Sequence, residues 1–299
     1  MLDFKTPTIA DKPWVDACMK HANSMNCEYV FGNVFIWKDI YNGKICRFED
    51  FFICRWGRAP KYTYSLPLGE GNFTKAIEAI IQDAKENGAV PRIYGITSGY
   101  LVMLQEAFTG KFDYHYDDGF SDYIYSVEKM ATLAGKKYHA KRNHITNFKK
   151  QNPDWSFEII TRDNIDECIA LHRAWLEDRD DENAEDYDEE FEAVLAAFEN
   201  YEVLGFVGGL IRVNGQVIAY TMGEPQQNGK CFVSHFEKAP AEMQGAYAVI
   251  NQEFTRNCLM GYEYVNREED LGLEGLRKAK RSYHPEILLE KCVAVYRDS

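Results

Sequence analysis

The sequence predicts an α+β protein built of two related units in tandem, each a mixed, largely antiparallel sheet flanked by helices. Three observations carry that prediction. The succession helix, helix, three-stranded meander, helix, strand, helix, strand occurs twice along the 299 residues. A basic segment, 136–152, separates the two occurrences, and the regular strand–helix alternation of a doubly wound sheet is missing. The expected division is therefore a first unit at 1–135, a linker helix at 136–152 and a second unit at 153–299.

In the first unit, apolar spacing predicts helices over 11–21 and 29–41, the second with aromatics at 31, 35, 37 and 41 on nearly one face. After Asn42-Gly43 come strands at 45–48 and 51–56, turned by Glu49-Asp50, and a third at 62–68. A helix over 73–86 stops at Asn87-Gly88; a strand at 91–96, a helix near 98–107 and aromatic strands between 112 and 125 follow. The second unit opens with a strand at 155–160 and helices at 164–176 and 188–198. Asn214-Gly215 between two apolar runs, 203–213 and 217–223, is a strong hairpin signal, because both residues tolerate the left-handed conformation such a turn needs. A strand at 231–236, a helix over 243–258, and strands at 262–266 and 288–295 complete the order.

Composition narrows the functional classes. Hydrophobic residues make up 45% and charged residues 27% of the chain, as in a soluble globular protein, and no apolar run reaches the length of a membrane helix. Neither a signal peptide nor a CxxC pair is present, so the eight cysteines read as reduced core thiols of a cytoplasmic protein. A net charge of −13 argues against general nucleic-acid affinity but leaves room for local basic patches. Eleven of the sixteen residues from Glu177 to Glu192 are acidic, which reads as a solvated loop and helix start.

Chemistry concentrates in three places. Between Tyr264 and Pro285, Glu268, Glu269 and Asp270 precede four cations within five residues, Arg277, Lys278, Lys280 and Arg281. That order suits a helix dipole, yet the cations exceed what a dipole needs. Arg277, Lys280 and Arg281 share a helical face and suit a phosphate, whereas Glu268 or Asp270 suits an ammonium group. The linker carries Lys136, Lys137, Lys141 and Arg142 beside an apolar stripe at 138, 145 and 148; it is either a solvated connector or a face for RNA phosphates. On the strand at 231–236, His235 and the following Glu237 are expected on one side by the period of two, where either is a candidate proton acceptor or a structural residue. His115 with Asp113, Asp117 and Asp118 has ligand-type side chains but reads as a solvated hairpin, so no metal is expected.

The second unit's order looks like the fold of the GCN5-related N-acetyltransferases. The doubled arrangement, with Asn266-Arg-Glu-Glu-Asp-Leu-Gly-Leu-Glu-Gly-Leu-Arg-Lys-Ala-Lys-Arg-Ser-Tyr-His-Pro285, resembles the C-terminal synthase domain of the phosphatidylglycerol lysyltransferases and the Fem-type aminoacyltransferases. Phe31-Gly-Asn-Val-Phe-Ile-Trp37 and Gly135-Lys-Lys-Tyr-His-Ala-Lys-Arg-Asn143 are similar to a bacterial branch of that lysyltransferase-like family. The resemblance covers nearly the whole chain. It implies acyl transfer at a cleft faced by Asn266, the cations and Tyr283, with Tyr283 a candidate proton donor to the leaving group or a packing residue.

An acetyl-CoA enzyme of this fold has a pyrophosphate loop before the helix that begins near 243. Here Gly245 takes the first glycine position, while Glu242 and Tyr247 stand where a basic or amide residue and a small residue are expected. Gly245 thus reads either as the remnant of a phosphate loop or as a site of close packing. A carboxylate repels pyrophosphate, which favours aminoacyl-tRNA as co-substrate, with no bound cofactor and with acyl-CoA as the alternative. The acceptor implied is an amine or hydroxyl on a lipid headgroup, small molecule or peptide. The membrane-embedded part that accompanies many lysyltransferases is not among these residues, which weighs against a phospholipid. A non-catalytic binding protein of the same fold is the third reading.

Overall fold

The computed structural model describes residues 2–22, 24–177 and 184–297. In the first half lie β1 (Lys44–Phe48), β2 (Phe51–Arg58), β3 (Lys61–Ser65), β4 (Leu68–Gly69), β5 (Arg92–Ile96), β6 (Phe112–Tyr116) and β7 (Asp122–Ser126). The second half supplies β8 (Ser156–Ile159), β9 (Val207–Val213), β10 (Gln216–Pro225), β11 (Cys231–Lys238), β12 (Tyr264–Asn266), β13 (Ile287–Leu289) and β14 (Cys292–Tyr296). One sheet runs β1-β2-β3-β5-β14-β6 with β4 beside β2; the other runs β13-β7-β12-β11-β10-β9-β8. All but two neighbour pairs are antiparallel, the parallel ones being β3 with β5 and β11 with β12. The α+β class and the paired mixed sheets are as the sequence predicts.

Local sequence explains most element boundaries. Asn214 and Gly215 take φ of 51° and 78°, the two left-handed residues that turn β9 into β10. The helix Phe73–Glu86 buries Ala76, Ile77, Ile80, Ile81 and Ala84 along one stripe, and the Asn72 side chain caps it by accepting the Lys75 N–H at 3.0 Å. The helix expected over 29–41 is shorter, Phe31–Ile36. Its continuation folds into turns that end at Asn42, whose φ is 51°. Residues 178–183 of the acidic run lie outside the described residues, and the helix Ala184–Glu199 follows them.

The sheets cross the boundary expected at 135. β6 ends in the first sheet and β7 begins in the second; β13 ends in the second and β14 begins in the first. The single strand predicted at 288–295 is thus two, parted at Glu290-Lys291, because the chain changes sheet there. Each sheet is completed by a strand from the other half, so unsatisfied backbone edges would be left in either half alone.

Two large cores result. One covers both faces of the first sheet and reaches the second, joining Ile53, Tyr64, Ile80 and Ile93 to Phe198, Tyr220, Met222 and Phe236. The other lies on the far side of the second sheet under the helices His139–Gln151 and Ala246–Cys258, where Tyr138, Ile145 and Phe148 pack with Phe232, Val249 and Phe254. The stripe at 138, 145 and 148 is therefore a packing face, and the basic helix belongs to the second core. All eight cysteines are free, seven of them buried. No helix among the described residues is long and apolar enough to cross a membrane.

Expressed separately, fragments 1–135 and 136–299 are expected to lack a cooperative unfolding transition and to regain one when mixed. Circular dichroism with urea titration reads this; a cooperative transition in either fragment alone would contradict the strand exchange.

Candidate active site

β11 and β12 are parallel but pair only from Cys231↔Tyr264 to Val233↔Asn266. Beyond that point β12 ends while β11 continues along β10, so the two chains diverge. The carboxyl ends of parallel strands are where a sheet leaves room for a ligand. Here the gap is filled by side chains: His235 and Glu237 from one chain, Arg267 and Glu268 from the other.

His235 and Glu237 do not share a side. β10 pairs Met222 with Phe236 but Gly223 with Ser234, leaving His235 as the extra residue of a bulge, and a bulge breaks the alternation. His235 turns toward Phe206, the two ring centres 5.5 Å apart, and toward Glu224, which meets Gly32 of the first unit. Glu237 turns the other way, where the Asn251 amide on the helix Ala246–Cys258 donates to it at 2.9 Å.

On the first unit's side His235 is clamped between two carboxylates. Its Nε2 is 3.1 Å from Glu224 Oε1 and its Nδ1 is 2.8 Å from Glu268 Oε1. Burial alone would lower the imidazole pKa, but the hydrogen-bonded carboxylates of Glu224 and Glu268 overcome it and hold the group up at about 9. The ring therefore carries its proton at neutral pH and is no base there. Gly32 donates its N–H to Glu224 Oε2 at 3.2 Å; a Cβ at position 32 would collide with Glu224 Oε1 and the Phe206 ring, so this approach requires glycine.

The polar seam continues inward. The Asn266 amide donates to Met25 O at 2.7 Å and to Asp122 Oδ2 at 2.9 Å, while its Oδ1 accepts the Glu268 N–H at 2.7 Å. Lys291 Nζ lies 2.8 Å from Asp122 Oδ1, also contacts Glu269 Oε1, and is 3.7 Å from Cys27 Sγ. Cys27, Asp122 and Glu269 offer ligand-type atoms within 4.8 Å of one another, and the ammonium of Lys291 supplies the positive charge among them. Beside them, burial raises the Glu28 carboxyl to about 8, Lys291 opposing.

The other face gathers a different set. Glu237 accepts from Arg267 Nη2 at 3.0 and 3.2 Å through its two oxygens. The guanidinium lies 5.3 Å from the Tyr283 ring centre and 5.8 Å from that of Tyr125. Lys141 Nζ also sits over the Tyr283 ring, 3.9 Å from its centroid. Burial first, then the charge of Arg267, lower the Lys141 pKa to about 8, placing it near the range where an amine exchanges protons at neutral pH. Arg267 Nη1 is buried without a hydrogen-bond partner among the described residues. A buried donor left unpaired costs about 1–3 kcal/mol, which a ligand oxygen would recover.

Gly245, with φ of 93°, precedes the first turn of the helix Ala246–Cys258. A Cβ there would stand 2.8 Å from His144 O and 3.2 Å from Phe148 Cβ, so the glycine admits the helix His139–Gln151 against the turn a pyrophosphate would need. The close approach is thus to a helix and not to the sheet.

The expected cation cluster is dispersed by its own partners. The helix begins only at Glu274, because Glu268, Leu271 and Gly272 take left-handed φ of 58°, 51° and 76°. Arg277 grips Asp270 with two bonds of 2.7 and 2.9 Å, and Tyr123 donates its hydroxyl to the same carboxylate at 2.7 Å. Burial would raise the Asp270 pKa, but Arg277, Tyr123 and Gly272 hold it down at about 2. Lys280 is buried and donates to Arg267 O at 2.5 Å and to Glu269 O, bracing the loop that carries Arg267. Arg281 and Lys278 remain exposed, as do Lys136 and Lys137; Arg142 donates inward to Leu133 O and, at 2.7 Å, to Gly135 O. Asp113 pairs with Arg297 at 2.8 Å and Asp117 accepts the Gly119 N–H at 2.8 Å, so neither joins His115 in a ligand set. Sequence reasoning missed Arg267, Glu224, Asn251 and Lys291 as site residues, and assigned Lys141 to a nucleic-acid face rather than to this cluster. A lone acid closing the apolar run at 217–223, and a lone lysine where one strand was expected, were the available signals.

The family model described as phosphatidylglycerol lysyltransferase, C-terminal, matches residues 20–295. A solved structure of a conserved protein of unknown function from Bacteroides thetaiotaomicron is 36% identical, with a TM-score of 0.95 over 99% of this chain and 100% of that one. The DUF2156 C-terminal domain of an Agrobacterium fabrum protein assigned as a lysylphosphatidylglycerol synthetase shares the fold at 16% identity, TM-score 0.69, over 97% and 93% of the two chains. So does a tandem GNAT protein from the clavulanic acid biosynthesis pathway, at 11% identity and TM-score 0.50 over the full length of both. A curated relative from Mycoplasmoides gallisepticum is 24% identical over 182 residues, which span 57% of this chain and 54% of that protein. The chain thus covers about half the length of that relative.

The His235 clamp has a pH signature. Its folded pKa of about 9 exceeds the ordinary 6.5, so its contribution is fully present below about pH 6.5 and is lost as pH rises through about 9, up to roughly 3 kcal/mol. The unfolding free energy of the wild type, measured from pH 6 to 9.5, is expected to fall by that amount relative to His235→Gln. Parallel curves for the two proteins would show the clamp to be uncharged.

Proposed function

This chain belongs to the phosphatidylglycerol lysyltransferase C-terminal family, and from that premise we propose that it transfers an aminoacyl group from aminoacyl-tRNA to an amine or hydroxyl acceptor. One observation carries the reading: the unpaired Nη1 of Arg267 lies in a buried cluster with Glu237, Tyr283 and Lys141 where β11 and β12 diverge. Such a cluster has what an already activated ester requires, a donor for the developing oxyanion and a nearby proton carrier.

In this mechanism the acceptor's lone pair attacks the carbonyl carbon of the aminoacyl ester. Neutral Lys141 takes the proton that the acceptor loses, and the ring of Tyr283 beneath it steadies the ammonium so formed. Negative charge gathers on the carbonyl oxygen and is met by Arg267 Nη1, which Glu237 holds in place. The carbon–oxygen bond to the terminal ribose then breaks, and the leaving hydroxyl recovers its proton from Lys141. The charged His235 on the other face anchors Glu268, next in sequence to Arg267, and so acts by positioning.

Two features support an RNA-borne donor over acyl-CoA. The helix turn that would receive pyrophosphate is packed against the helix His139–Gln151 through Gly245, and Glu242 adds negative charge nearby. An ester on a ribose needs no such loop.

With charged tRNA and an amine acceptor, kcat/KM is expected to rise with pH and level off above about 8, following Lys141. Lys141→Met should lower it about 10²- to 10⁴-fold and Arg267→Lys about 10²-fold, with circular dichroism confirming that both fold. Wild-type turnover in both variants, or turnover with acyl-CoA and none with charged tRNA, would refute the reading.

A further inference from the structure

A separate cavity of about 460 Å³ opens where the segment after the helix Phe31–Ile36 meets the β2–β3 hairpin, lined by Ile40, Tyr41, Trp56, Arg58, Lys61 and Thr63. Its walls are tied together. The Asn42 side-chain amide donates to Gly57 O at 2.7 Å, and the Gly57 N–H donates to Tyr41 O at 2.9 Å. Tyr41 is 48% exposed while its inner side stacks on Trp37, with ring centres 5.5 Å apart and 21° between planes. A large aromatic face is thus held rigidly and presented to solvent.

Arg58 and Lys61 are direct partners across the hairpin, so their side chains leave the sheet together. Both are exposed, and neither makes an ion pair among the described residues. In a chain of net charge −13, two adjacent uncompensated cations beside a stacked aromatic are a local exception to the overall field.

From this juxtaposition we infer that the cavity binds one unpaired nucleotide, the base against Tyr41 and Trp56 and the phosphate on Arg58 and Lys61. An aromatic platform next to paired cations is how proteins hold single-stranded nucleic acid without reading its sequence. An acidic peptide would use the cations but leave the rings unused, and a simple phosphate would do the same. The volume lies within the roughly 300–1,000 Å³ range of small-ligand pockets and excludes a duplex. Trp37, behind Tyr41, also lies 6.4 Å from Phe236, the neighbour of His235, so the cavity adjoins the junction of the two units. Should the donor be an aminoacyl-tRNA, an identification that rests on the function proposed above, this cavity takes one of its unpaired nucleotides.

The base-bearing phosphate has two sources, free nucleotide or RNA, and calorimetric titration of the full chain separates them. The probes are adenosine 5′-monophosphate, ribose 5-phosphate and a single-stranded RNA hexamer of adenosines, each at several salt concentrations. The hexamer is expected to bind more tightly than the mononucleotide, and ribose 5-phosphate at least about tenfold more weakly than either. Equal affinity for hexamer and mononucleotide would keep the site and assign it to free nucleotide. Tyr41→Ala should weaken the hexamer about tenfold or more, and Arg58→Ala with Lys61→Ala should flatten the slope of log affinity on log salt by about 0.7, for the one phosphate they hold. Arg58→Glu, an exposed charge reversal that leaves the fold alone, should abolish binding. Lys141→Met should bind the hexamer as the wild type does, so failure of the catalytic reading leaves this test intact. No binding of hexamer or mononucleotide by the wild type, or unchanged binding in the Tyr41 and Arg58/Lys61 variants, would overturn the inference.

Discussion

The ion pair between Lys291 and Asp122 sits where the chain passes twice between its two sheets, once at 117–121 and once at 290–291. Lys291 immediately precedes β14, the strand that the second half lends to the first sheet. Asp122 opens β7, the strand that the first half lends to the second. Both side chains are almost wholly buried, and the burden of desolvating them is offset by hydrogen bonds: the Cys27 N–H and the Asn266 amide donate to the aspartate, and the Lys291 ammonium donates to Asp122 and Glu269. A buried pair of this kind contributes little against a well-packed apolar substitute, but breaking it leaves an uncompensated charge. Its consequence here is positional: it holds the two crossings together and with them the register of both sheets.

The candidate site hangs from that point. Asn266, bonded to Asp122, ends β12 and turns the chain so that Arg267 and Glu268 leave on opposite faces. Glu268 joins the His235 clamp between the units; Arg267 enters the cluster with Glu237, Tyr283 and Lys141. Lys280 braces the same loop by donating to its carbonyls. One strand end thereby supplies an ionised anchor on one side and an unpaired donor on the other.

Periodicity and turn chemistry made much of the fold legible. The Asn214-Gly215 hairpin, the capped helix at 73–86 and the apolar stripe of Tyr138, Ile145 and Phe148 are local signals, and the chain uses them as read. The resemblance carried by the segment ending at Pro285 reached the family. The bulge at His235 was not legible, since it depends on Gly223 of the neighbouring strand, and with it went the expectation that His235 and Glu237 lie on one side of the strand. The cations at 277 and 280 were read as a phosphate site because their partners, Asp270 and the carbonyls of Arg267 and Glu269, are assembled only by the turns of the folded loop. Nothing local marks a strand as destined for the other sheet; the exchange of β7 and β14 is a property of the whole topology.

Strand exchange and the buried Lys291–Asp122 pair together make a single cooperative body of the two sheets. Calorimetric and urea unfolding of the wild type beside Lys291→Met reads this. The wild type should unfold in one transition, with the calorimetric and van't Hoff enthalpies equal, and Lys291→Met should lose about 3–5 kcal/mol. Two separated transitions in the wild type, or a loss under about 1 kcal/mol in the variant, would mean that the sheets stand independently or that Lys291 does not hold them together.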